Sequence, residues 1–337
     1  YASIIGELHG DANYVTQYFQ EFAADPFRPV LWTVVIFLIC HFVIIHGVRG
    51  GIEKASKVMM PLLFILLLII VVASCLLPDA GKGVEFLLKP DFGKVDRNVF
   101  LNALGQSFYS MSIGMGCICT YASYFSRQTN LFKSALQISV IDLLVAVLAG
   151  LMIFPAAFSV GISPDSGPSL IFITLPNVFN KAFAALPVLG WIISLLFYVL
   201  LSVAALTSLM SLHEVNTSFF YEELKIDRKK GAWIVTISCA VIGAFCSFSL
   251  GATDKLSWFG KTLFDWFDFI TGQVFLPMAG LLTCLFLGWY VPKKILKDEF
   301  TNWGTLKGRL FGIYFFLIKF VCPILILLVF LNQFEVL

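Results

Sequence analysis

The chain has 337 residues, of which 59% are hydrophobic and 13% are charged, and its mean hydropathy is +0.89. Soluble domains carry about 25% charged residues, so this composition predicts an integral membrane protein with many helices. The formal net charge is only +2, and no basic run is interleaved with aromatic residues, so nothing indicates nucleic-acid binding. None of the eight cysteines forms a CxxC pair, and no HExxH or GxSxG motif indicates an enzyme.

Apolar runs of about 20 residues, the length that a bilayer demands of a helix, recur along the chain. Before the first run, residues 6–28 predict a loop outside the membrane with a short amphipathic helix around Tyr14–Phe22. Between later runs, Leu170–Phe183 predicts a helix over one mouth of the protein. The distribution of lysine and arginine places the loop after the first full span in the cytoplasm. The eight predicted full spans are 30–47, 55–77, 98–124, 132–160, 185–221, 232–249, 265–291 and 309–332.

The stretch Ala103–Gly116 is unusual for a membrane helix because it contains three glycines, three serines and a glutamine. Glycine lowers helix stability by roughly 1 kcal/mol per residue, and serine offers the backbone other hydrogen bonds. One interpretation is a helix broken at Ser112–Met115, with its freed backbone groups facing a ligand. The other is close helix packing through the small residues Gly105, Ser112 and Gly116. The residues of this stretch alone leave both interpretations open.

Several polar side chains fall at membrane depth. Asp142 lies within the fourth full span, where a carboxylate costs at least ~2.5 kcal/mol unless it is paired. It is therefore either a functional acid or a structural acid that hydrogen-bonds between helices. Thr207 and Ser208 either bond to their own helix or supply the hard oxygen ligands that an alkali cation accepts. Glu214 and Asp268 lie near helix ends, where solvation is the simplest interpretation.

Seven motifs, taken in order, carry a resemblance to a known family. They are Gly50-Gly-Ile-Glu-Lys-Ala-Ser-Lys-Val-Met-Met-Pro, Lys89-Pro-Asp-Phe, Gly105-Gln-Ser-Phe-Tyr-Ser-Met-Ser-Ile-Gly-Met-Gly, Thr120-Tyr-Ala-Ser-Tyr, Phe154-Pro-Ala, Phe172-Ile-Thr-Leu-Pro and Ala205-Leu-Thr-Ser. Over nearly the whole chain, they resemble the neurotransmitter:sodium symporter family, most closely its bacterial amino-acid transporters.

The resemblance implies an all-α integral membrane protein with a LeuT-like inverted-repeat fold. In this fold a discontinuous helix helps to bind substrate and sodium at the bilayer midplane. The eight full spans then correspond to family helices four to eleven within a single transmembrane domain. Residues 1–96 would be the remainder of the first repeat, 97–291 the second repeat and 292–337 an additional C-terminal helix.

The resemblance also implies roles for individual residues. The unwound segment would be Ser112, Ile113, Gly114 and Met115, whose backbone would bind the ammonium group of an amino acid. The side chains of the pocket wall would be Tyr109, Met115, Ser208, Ser211 and Leu212. Two sodium sites are expected, the first with Ser110 and the second with Thr207, Ser208 and the Ala204 carbonyl. Asp268 would be the acid of the outer gate, and Tyr124, Glu214 and Glu222 would be partners in the inner gate.

One departure from the family pattern concerns the first sodium site. The asparagine that ligates this sodium in many members is absent, and Ile141 and Asp142 bracket its place. Chloride-dependent members use bound chloride to balance the charge of sodium, whereas chloride-independent members carry an acid nearby. We therefore expect Asp142 to be that acid or a direct sodium ligand, and we expect transport to require no chloride.

A second departure concerns the start of the chain. Tyr1–Ile5 resembles the end of the third family helix, which predicts an N-terminal truncation. The first family helix supplies about half of both sodium sites and the contact to the substrate carboxylate. We therefore expect that the 337-residue chain alone neither binds nor transports. Saturable sodium-dependent binding of a labelled amino acid to this chain would contradict that expectation.

The expected function is import of a neutral apolar or aromatic amino acid together with sodium, by alternating access, across a bacterial inner membrane. One alternative is a non-transporting amino-acid sensor on the same fold. Another is a sodium-coupled carrier of a different small solute, such as a nucleobase. The lipid bilayer and the amino acid are the expected partners, and the residues do not indicate an oligomeric state.

Overall fold

The structure is a computed structural model, and it describes residues 12–126, 128–159, 171–172, 175–183, 186–252 and 256–333. Within those ranges seven helical spans are long and apolar enough to cross a membrane. The predictions for Tyr1–Ile5 and for residues 161–170 lie outside the described residues. The seven spans are Arg28–Ile45, Gly50–Cys75, Leu131–Ser159, Pro187–Glu222, Arg228–Leu250, Leu263–Tyr290 and Phe311–Gln333.

These spans match seven of the eight predicted ones, and the predicted all-α membrane fold is confirmed. The remaining predicted span, 98–124, is interrupted, in agreement with the break predicted within it. In chain order the α-helices are α1 (Ala12–Ala24), α2 (Arg28–Ile45), α3 (Glu53–Cys75), α4 (Ala80–Leu88), α5 (Arg97–Ser110), α6 (Cys117–Ser123), α7 (Leu131–Ser159), α8 (Leu175–Ala182), α9 (Pro187–Glu222), α10 (Arg228–Ser247), α11 (Leu263–Asp268), α12 (Leu276–Leu285), α13 (Lys293–Phe300), α14 (Phe311–Phe316) and α15 (Cys322–Gln333).

Shorter elements join or extend these helices. The strands β1 (Ser257–Trp258) and β2 (Lys261–Thr262) form a small antiparallel hairpin in which Ser257 lies opposite Thr262. Phe92–Lys94 is a 3₁₀ turn. Among the described residues, π-helical segments with about one extra residue per turn interrupt or extend several of the helices. They are Val48–Ile52, Phe248–Ala252, Phe269–Phe275, Phe286–Tyr290 and Leu317–Val321.

Local chemistry explains where several helices begin. The Asp25 carboxylate accepts hydrogen bonds from the backbone N–H groups of Arg28 and Phe27, at 2.9 and 2.8 Å, just before α2. These bonds favour the charged form and hold the pKa of Asp25 below its ordinary value. Pro29 occupies the first turn of α2, where the missing N–H has no helical partner to lose. The predicted amphipathic helix around Tyr14–Phe22 is confirmed as α1.

The chain divides into two compact units. The first comprises Tyr1–Pro90 and Val145–Phe264. The second comprises Asp91–Leu144 and Asp265–Leu337, so α7 contributes to both units. The predicted division into inverted repeats at residues 96/97 and 291/292 stays a prediction.

The core of the first unit forms where α3, α7, α8 and α9 meet. Leu67, Ile70, Met152, Phe179 and Phe197 are among its buried side chains. The rings of Phe179 and Phe197 meet edge to face with their centroids 5.3 Å apart, which is a favoured aromatic geometry. Because α8 supplies part of this core, the short helix is anchored to the membrane helices by packing.

In the second unit, α5 and α12 both pack on α15. The side chain of Asp96 caps α5 by accepting a hydrogen bond from the Val99 N–H at 2.8 Å, which satisfies one of the unpaired amides at the helix start. A Cβ atom on Gly105 would lie 3.4 Å from Val329 Cγ1, an ordinary contact distance. The cap and this packing anchor the part of α5 that precedes the break in the helix.

Candidate functional site

The backbone leaves the helical path immediately after α5. Ser112, Gly114 and Gly116 have φ values of 52°, 90° and 80°, which lie in the left-handed region. The N–H of Ser112 donates to the Tyr109 carbonyl, and the N–H of Ile113 donates to the Phe108 carbonyl, both at 3.0 Å. The predicted break at Ser112–Met115 is therefore confirmed.

The break leaves carbonyl oxygens available at the end of α5. In the described part of the chain, no backbone N–H donates to the carbonyls of Ser110 and Met111. The C-terminal end of a helix carries partial negative charge because its last carbonyls have no helical partner. These two oxygens therefore present a partial negative charge that suits a cation.

Close packing accompanies the break, so the two interpretations of this stretch are not exclusive. A Cβ atom on Gly114 would overlap the Leu276 carbonyl oxygen and lie 3.2 Å from the Gly280 nitrogen. A Cβ atom on Gly280 would in turn lie 2.8 Å from the ring of Phe108. The packing residue is Gly114, which the sequence interpretation had assigned only to the unwound segment. Helix α12 therefore lies directly against the unwound backbone.

Ser110 and Asp142, both predicted near the first sodium site, are in direct contact. The Ser110 hydroxyl lies 2.8 Å from each Asp142 carboxylate oxygen, to which it donates. Ser110 is the last residue of α5, and half-buried Asp142 lies on α7. The contact places a carboxylate and a hydroxyl beside the free carbonyl of Ser110. Such a set of hard oxygen atoms fits an alkali or alkaline-earth cation.

The Ser110 and Asp142 oxygens do not form the kind of site that binds a transition metal. Among the described residues, no three His, Cys, Asp or Glu side chains are grouped so that they could hold a metal ion. Oxygen atoms from a hydroxyl, a carboxylate and the backbone do not favour zinc or copper, which prefer imidazole and thiolate ligands.

The residues predicted for the second sodium site lie on α9, in the first unit. The Thr207 hydroxyl donates to the Ala204 carbonyl at 2.8 Å, and the Ser211 hydroxyl donates to the Thr207 carbonyl at 3.1 Å. The bonds to their own helix are thus present. A hydroxyl that donates its proton keeps its lone pairs, so the Thr207 oxygen can still accept a cation. Ser208 and Leu212 are exposed on the same helix.

Tyr109 and Asp268 line a cavity of about 370 Å³ in the second unit. Its walls come from α5, α12, α15 and the π-helical segment Phe269–Phe275. Of the amides in its lining, sequence reasoning noted only Gln106, although an Asn or Gln within an apolar run is costly and could have drawn attention to the others. The Gln333 Oε1 atom is buried without a hydrogen-bond partner. The lining amides are Asn102, Gln106, Gln273, Asn332 and Gln333.

The structure contradicts the expectation that Glu214 lies at a solvated helix end, because this residue is buried. Its side chain is 0% exposed and forms an ion pair with Arg228, which is 22% exposed. The Arg228 guanidinium also donates to the Ile44 carbonyl from two nitrogens, at 3.3 and 3.4 Å. The carboxylate is buried because an arginine at the start of α10 reaches it, and the sequence did not reveal this pairing.

Next to Glu214, a hydrogen-bonded cluster joins α2, α9 and α10. The Thr236 hydroxyl lies 2.9 Å from His41 Nδ1 and 2.8 Å from His213 Nε2. It donates its own proton to the Ala232 carbonyl at 2.8 Å. His213 Nδ1 lies 3.0 Å from the Thr217 hydroxyl. Buried polar groups of this kind rarely lack partners, and the cluster joins these three helices through hydrogen bonds.

The other predicted gate residues lie at helix ends. Tyr124 follows α6 in the second unit, and Glu222 is the last residue of α9 in the first unit. Both are exposed. Ile113 and Met115 are half-buried within the unwound segment. The gate and pocket roles of these residues stay predictions.

Comparisons with known proteins agree with this architecture. Residues 17–337 match the model of the sodium:neurotransmitter symporter family. The chain is 36% identical over 315 residues to an uncharacterised sodium-dependent transporter, YhdH, of Bacillus subtilis, covering 93% of this chain and 68% of that protein. It is 34% identical over 311 residues to an uncharacterised sodium-dependent transporter of Haemophilus influenzae, covering 92% and 66%. The chain thus spans about two thirds of the length of these relatives.

A solved structure is similar as well. The crystal structure of MhsT in complex with L-phenylalanine matches with a TM-score of 0.84 and 35% sequence identity. The match covers 98% of this chain and 74% of that chain. The broken helix, the membrane spans, the family model and the relatives agree, and the chain belongs to the sodium:neurotransmitter symporter family.

Proposed function

We propose that the protein is a sodium-coupled symporter that imports a neutral apolar or aromatic amino acid by alternating access. The observation that carries the proposal is the contact between Ser110 and Asp142 at the point where α5 breaks. A buried or half-buried acid at membrane depth requires a partner. A single hydroxyl leaves its negative charge uncompensated, and a bound sodium ion would compensate it.

The proposed first sodium site consists of the Ser110 hydroxyl and carbonyl and the Asp142 carboxylate. The proposed second site consists of the Ala204 carbonyl and the hydroxyls of Thr207 and Ser208. Sodium that moves down its gradient would supply the driving force for uptake. Because the first site adjoins the unwound segment, binding of sodium there would order the backbone that contacts the substrate.

The substrate proposal rests on the unwound segment and its neighbours. The backbone of Ser112, Ile113, Gly114 and Met115 would bind the ammonium group, since helix C-terminal carbonyls attract cations. The proposed pocket wall consists of Tyr109, Met115, Ser208, Ser211 and Leu212. None of these side chains is charged, which favours a neutral side chain on the substrate. The thioether of Met115 is adaptable, and the similar MhsT structure holds L-phenylalanine.

Alternating access requires gates on both sides of the substrate. We assign Asp268, at the end of α11 and in the lining of the cavity, to the outer gate. We assign Tyr124, Glu214 and Glu222 to the inner gate. The predicted loop orientation would place this inner side in the cytoplasm of a bacterial cell, with the protein in the inner membrane.

Replacing Asp142 by asparagine is expected to weaken sodium binding by about tenfold or more, because the amide keeps the shape but removes the negative charge. A loss of one close charge pair in a partly buried site is worth roughly 1.4 kcal/mol or more. The measurement is binding of a labelled amino acid to the complete gene product as the sodium concentration is varied.

Gln137→Ala is the matched control, because Gln137 is an exposed polar residue on the same helix as Asp142. The control should keep the sodium dependence of the unmodified protein. An unchanged sodium dependence in Asp142→Asn would remove this acid from the proposed site. Binding of nucleobases should be measured alongside binding of amino acids, in sodium and in potassium. Sodium-dependent binding of a nucleobase would favour the alternative, a carrier for another solute.

Replacing chloride by gluconate is expected to leave uptake unchanged, because the Asp142 carboxylate supplies the negative charge that chloride would otherwise provide. Replacing sodium by potassium is expected to abolish uptake. Both are measured in proteoliposomes with the complete gene product. Uptake that stops in gluconate, with sodium present, would show that Asp142 does not take the place of chloride.

A further inference from the structure

Lys319 is a charged residue inside the last membrane span, Phe311–Gln333. It lies eight residues after the start of α14, which corresponds to a depth of roughly 12 Å at 1.5 Å per residue. In the described residues no acidic side chain forms an ion pair with it. A lysine at this depth normally extends its side chain toward the membrane interface.

Aromatic rings surround the Lys319 ammonium group instead of an acid. Its Nζ atom lies 4.5 Å from the centre of the Trp289 ring, 5.6 Å from that of Phe320 and 5.7 Å from that of Phe315. These distances are typical of cation–π interactions. A second ammonium group, that of Lys293, lies 5.0 Å from the centre of the same Phe315 ring. Two positive charges therefore share one ring.

The backbone at this point is fixed by two π-helical segments, Phe286–Tyr290 and Leu317–Val321, which pack on each other. The Trp289 indole N–H donates to the Lys319 carbonyl at 3.3 Å. A Cβ atom on Gly288 would come within 2.9 Å of Lys319 Cα, so a larger residue would separate the two segments. These contacts between the two segments hold the ammonium group of Lys319 over the indole ring.

The surroundings of the two lysines match the headgroup region of a membrane. Lys293 begins α13, in a loop whose further cations, Lys294, Lys297, Lys307 and Arg309, predict a cytoplasmic location. The Trp289 ring, which lies below the Lys319 ammonium group, is 62% exposed, and the Phe316 ring, which packs against Phe320, is 56% exposed. Tryptophan is enriched at membrane interfaces, and exposed rings in this position contact acyl chains.

We propose that Lys293 and Lys319 form a binding site for an anionic phospholipid, whose phosphate lies at the two ammonium groups and whose acyl chain covers Trp289, Phe316 and Phe320. The charges favour an anionic occupant. Within the described residues neither lysine forms an ion pair with an acid, and cations at the membrane interface attract negative headgroups, as basic clusters on the cytoplasmic side do in general. The adjacent apolar rings favour a lipid over free phosphate.

Native mass spectrometry of the complete gene product tests the site. After exchange into detergent with phosphatidylglycerol or phosphatidylcholine, the unmodified protein should retain phosphatidylglycerol preferentially. Lys319→Gln and Lys293→Gln should each weaken this retention by about fivefold. One lysine near a membrane surface contributes about this factor to the affinity for anionic lipid. Lys297→Gln is the matched control, because Lys297 is an exposed lysine on the same helix, and it should behave like the unmodified protein.

A second measurement covers the possibility that a variant is unstable. Phosphatidylglycerol should raise the unfolding temperature of the unmodified protein and of Lys319→Arg, which keeps the charge, but should raise that of Lys319→Gln less. Equal retention of both lipids by the unmodified protein would overturn the proposal. So would equal losses in all three glutamine variants, which indicate general attraction, or full displacement by inorganic phosphate, which indicates a simple anion site.

Discussion

Replacing Arg228 by methionine is expected to destabilise the protein by about 3–5 kcal/mol, because it leaves the buried Glu214 carboxylate without the guanidinium. The Glu214 side chain is 0% exposed, so water cannot take the place of the arginine. The Ile44 carbonyl also loses the two guanidinium bonds at 3.3 and 3.4 Å. The measurement is the unfolding midpoint of the detergent-solubilised protein and the fraction that stays monodisperse.

Two further variants show whether the charge is the cause. Lys230→Met removes an exposed cation from the same turn of α10, and its effect should stay within about 0.5 kcal/mol. The double variant Glu214→Gln with Arg228→Met removes both charges, and it should recover part of the stability that the single variant loses. A double variant no more stable than Arg228→Met would show that the ion pair is not what holds α9 and α10 at this end.

Replacing Gly114 by valine is expected to abolish transport and lower stability by roughly 3 kcal/mol or more. The φ of 90° lies in a region that costs a residue with a side chain about 1–3 kcal/mol. The new Cβ atom would also overlap the Leu276 carbonyl oxygen, which belongs to the backbone and cannot rotate away. Either α12 moves or the unwound segment changes its path, and both distort the Ser110–Asp142 contact nearby.

The measurement is sodium-dependent uptake by the complete gene product in proteoliposomes together with its unfolding midpoint. Gly312→Ala is the control, because a Cβ atom on Gly312 meets nothing within 4 Å and φ there is not positive. Gly114→Ala adds only the Cβ and should show a smaller loss than valine. Wild-type uptake in Gly114→Val would mean that the close approach of α12 to the unwound segment does not matter for function.

The sequence predicted the membrane helices well because their signal is local. A run of about 20 apolar residues needs no information from the rest of the chain, and α1 likewise follows from its own amphipathic pattern. The broken helix was predictable for the same reason, since Gly114, Gly116 and the serines weaken it directly. The third predicted span, 98–124, contains the predicted break, and the structure describes it as α5 and α6.

Contacts between distant residues were harder to predict. Asp142 was identified as costly at membrane depth, and Ser110 was assigned by resemblance, but only the structure brings them to 2.8 Å. The position of Glu214 near the end of a helix predicts a solvated side chain. Its burial depends on Arg228 at the start of the next helix, α10. No local sequence pattern shows that the Arg228 guanidinium reaches Glu214 on α9. The close approach of Gly114 to Leu276 depends on residues 162 positions apart in the chain.

The cluster around Thr236 determines the tautomers of two histidines. A threonine hydroxyl has one proton, and Thr236 donates it to the Ala232 carbonyl. Its oxygen can therefore only accept from the imidazoles, so His41 must carry hydrogen on Nδ1 and His213 on Nε2. When His213 is neutral, its Nδ1 accepts the proton of Thr217. The hydroxyl proton of Thr236 thus fixes which group donates and which accepts in the hydrogen bonds that link α2, α9 and α10.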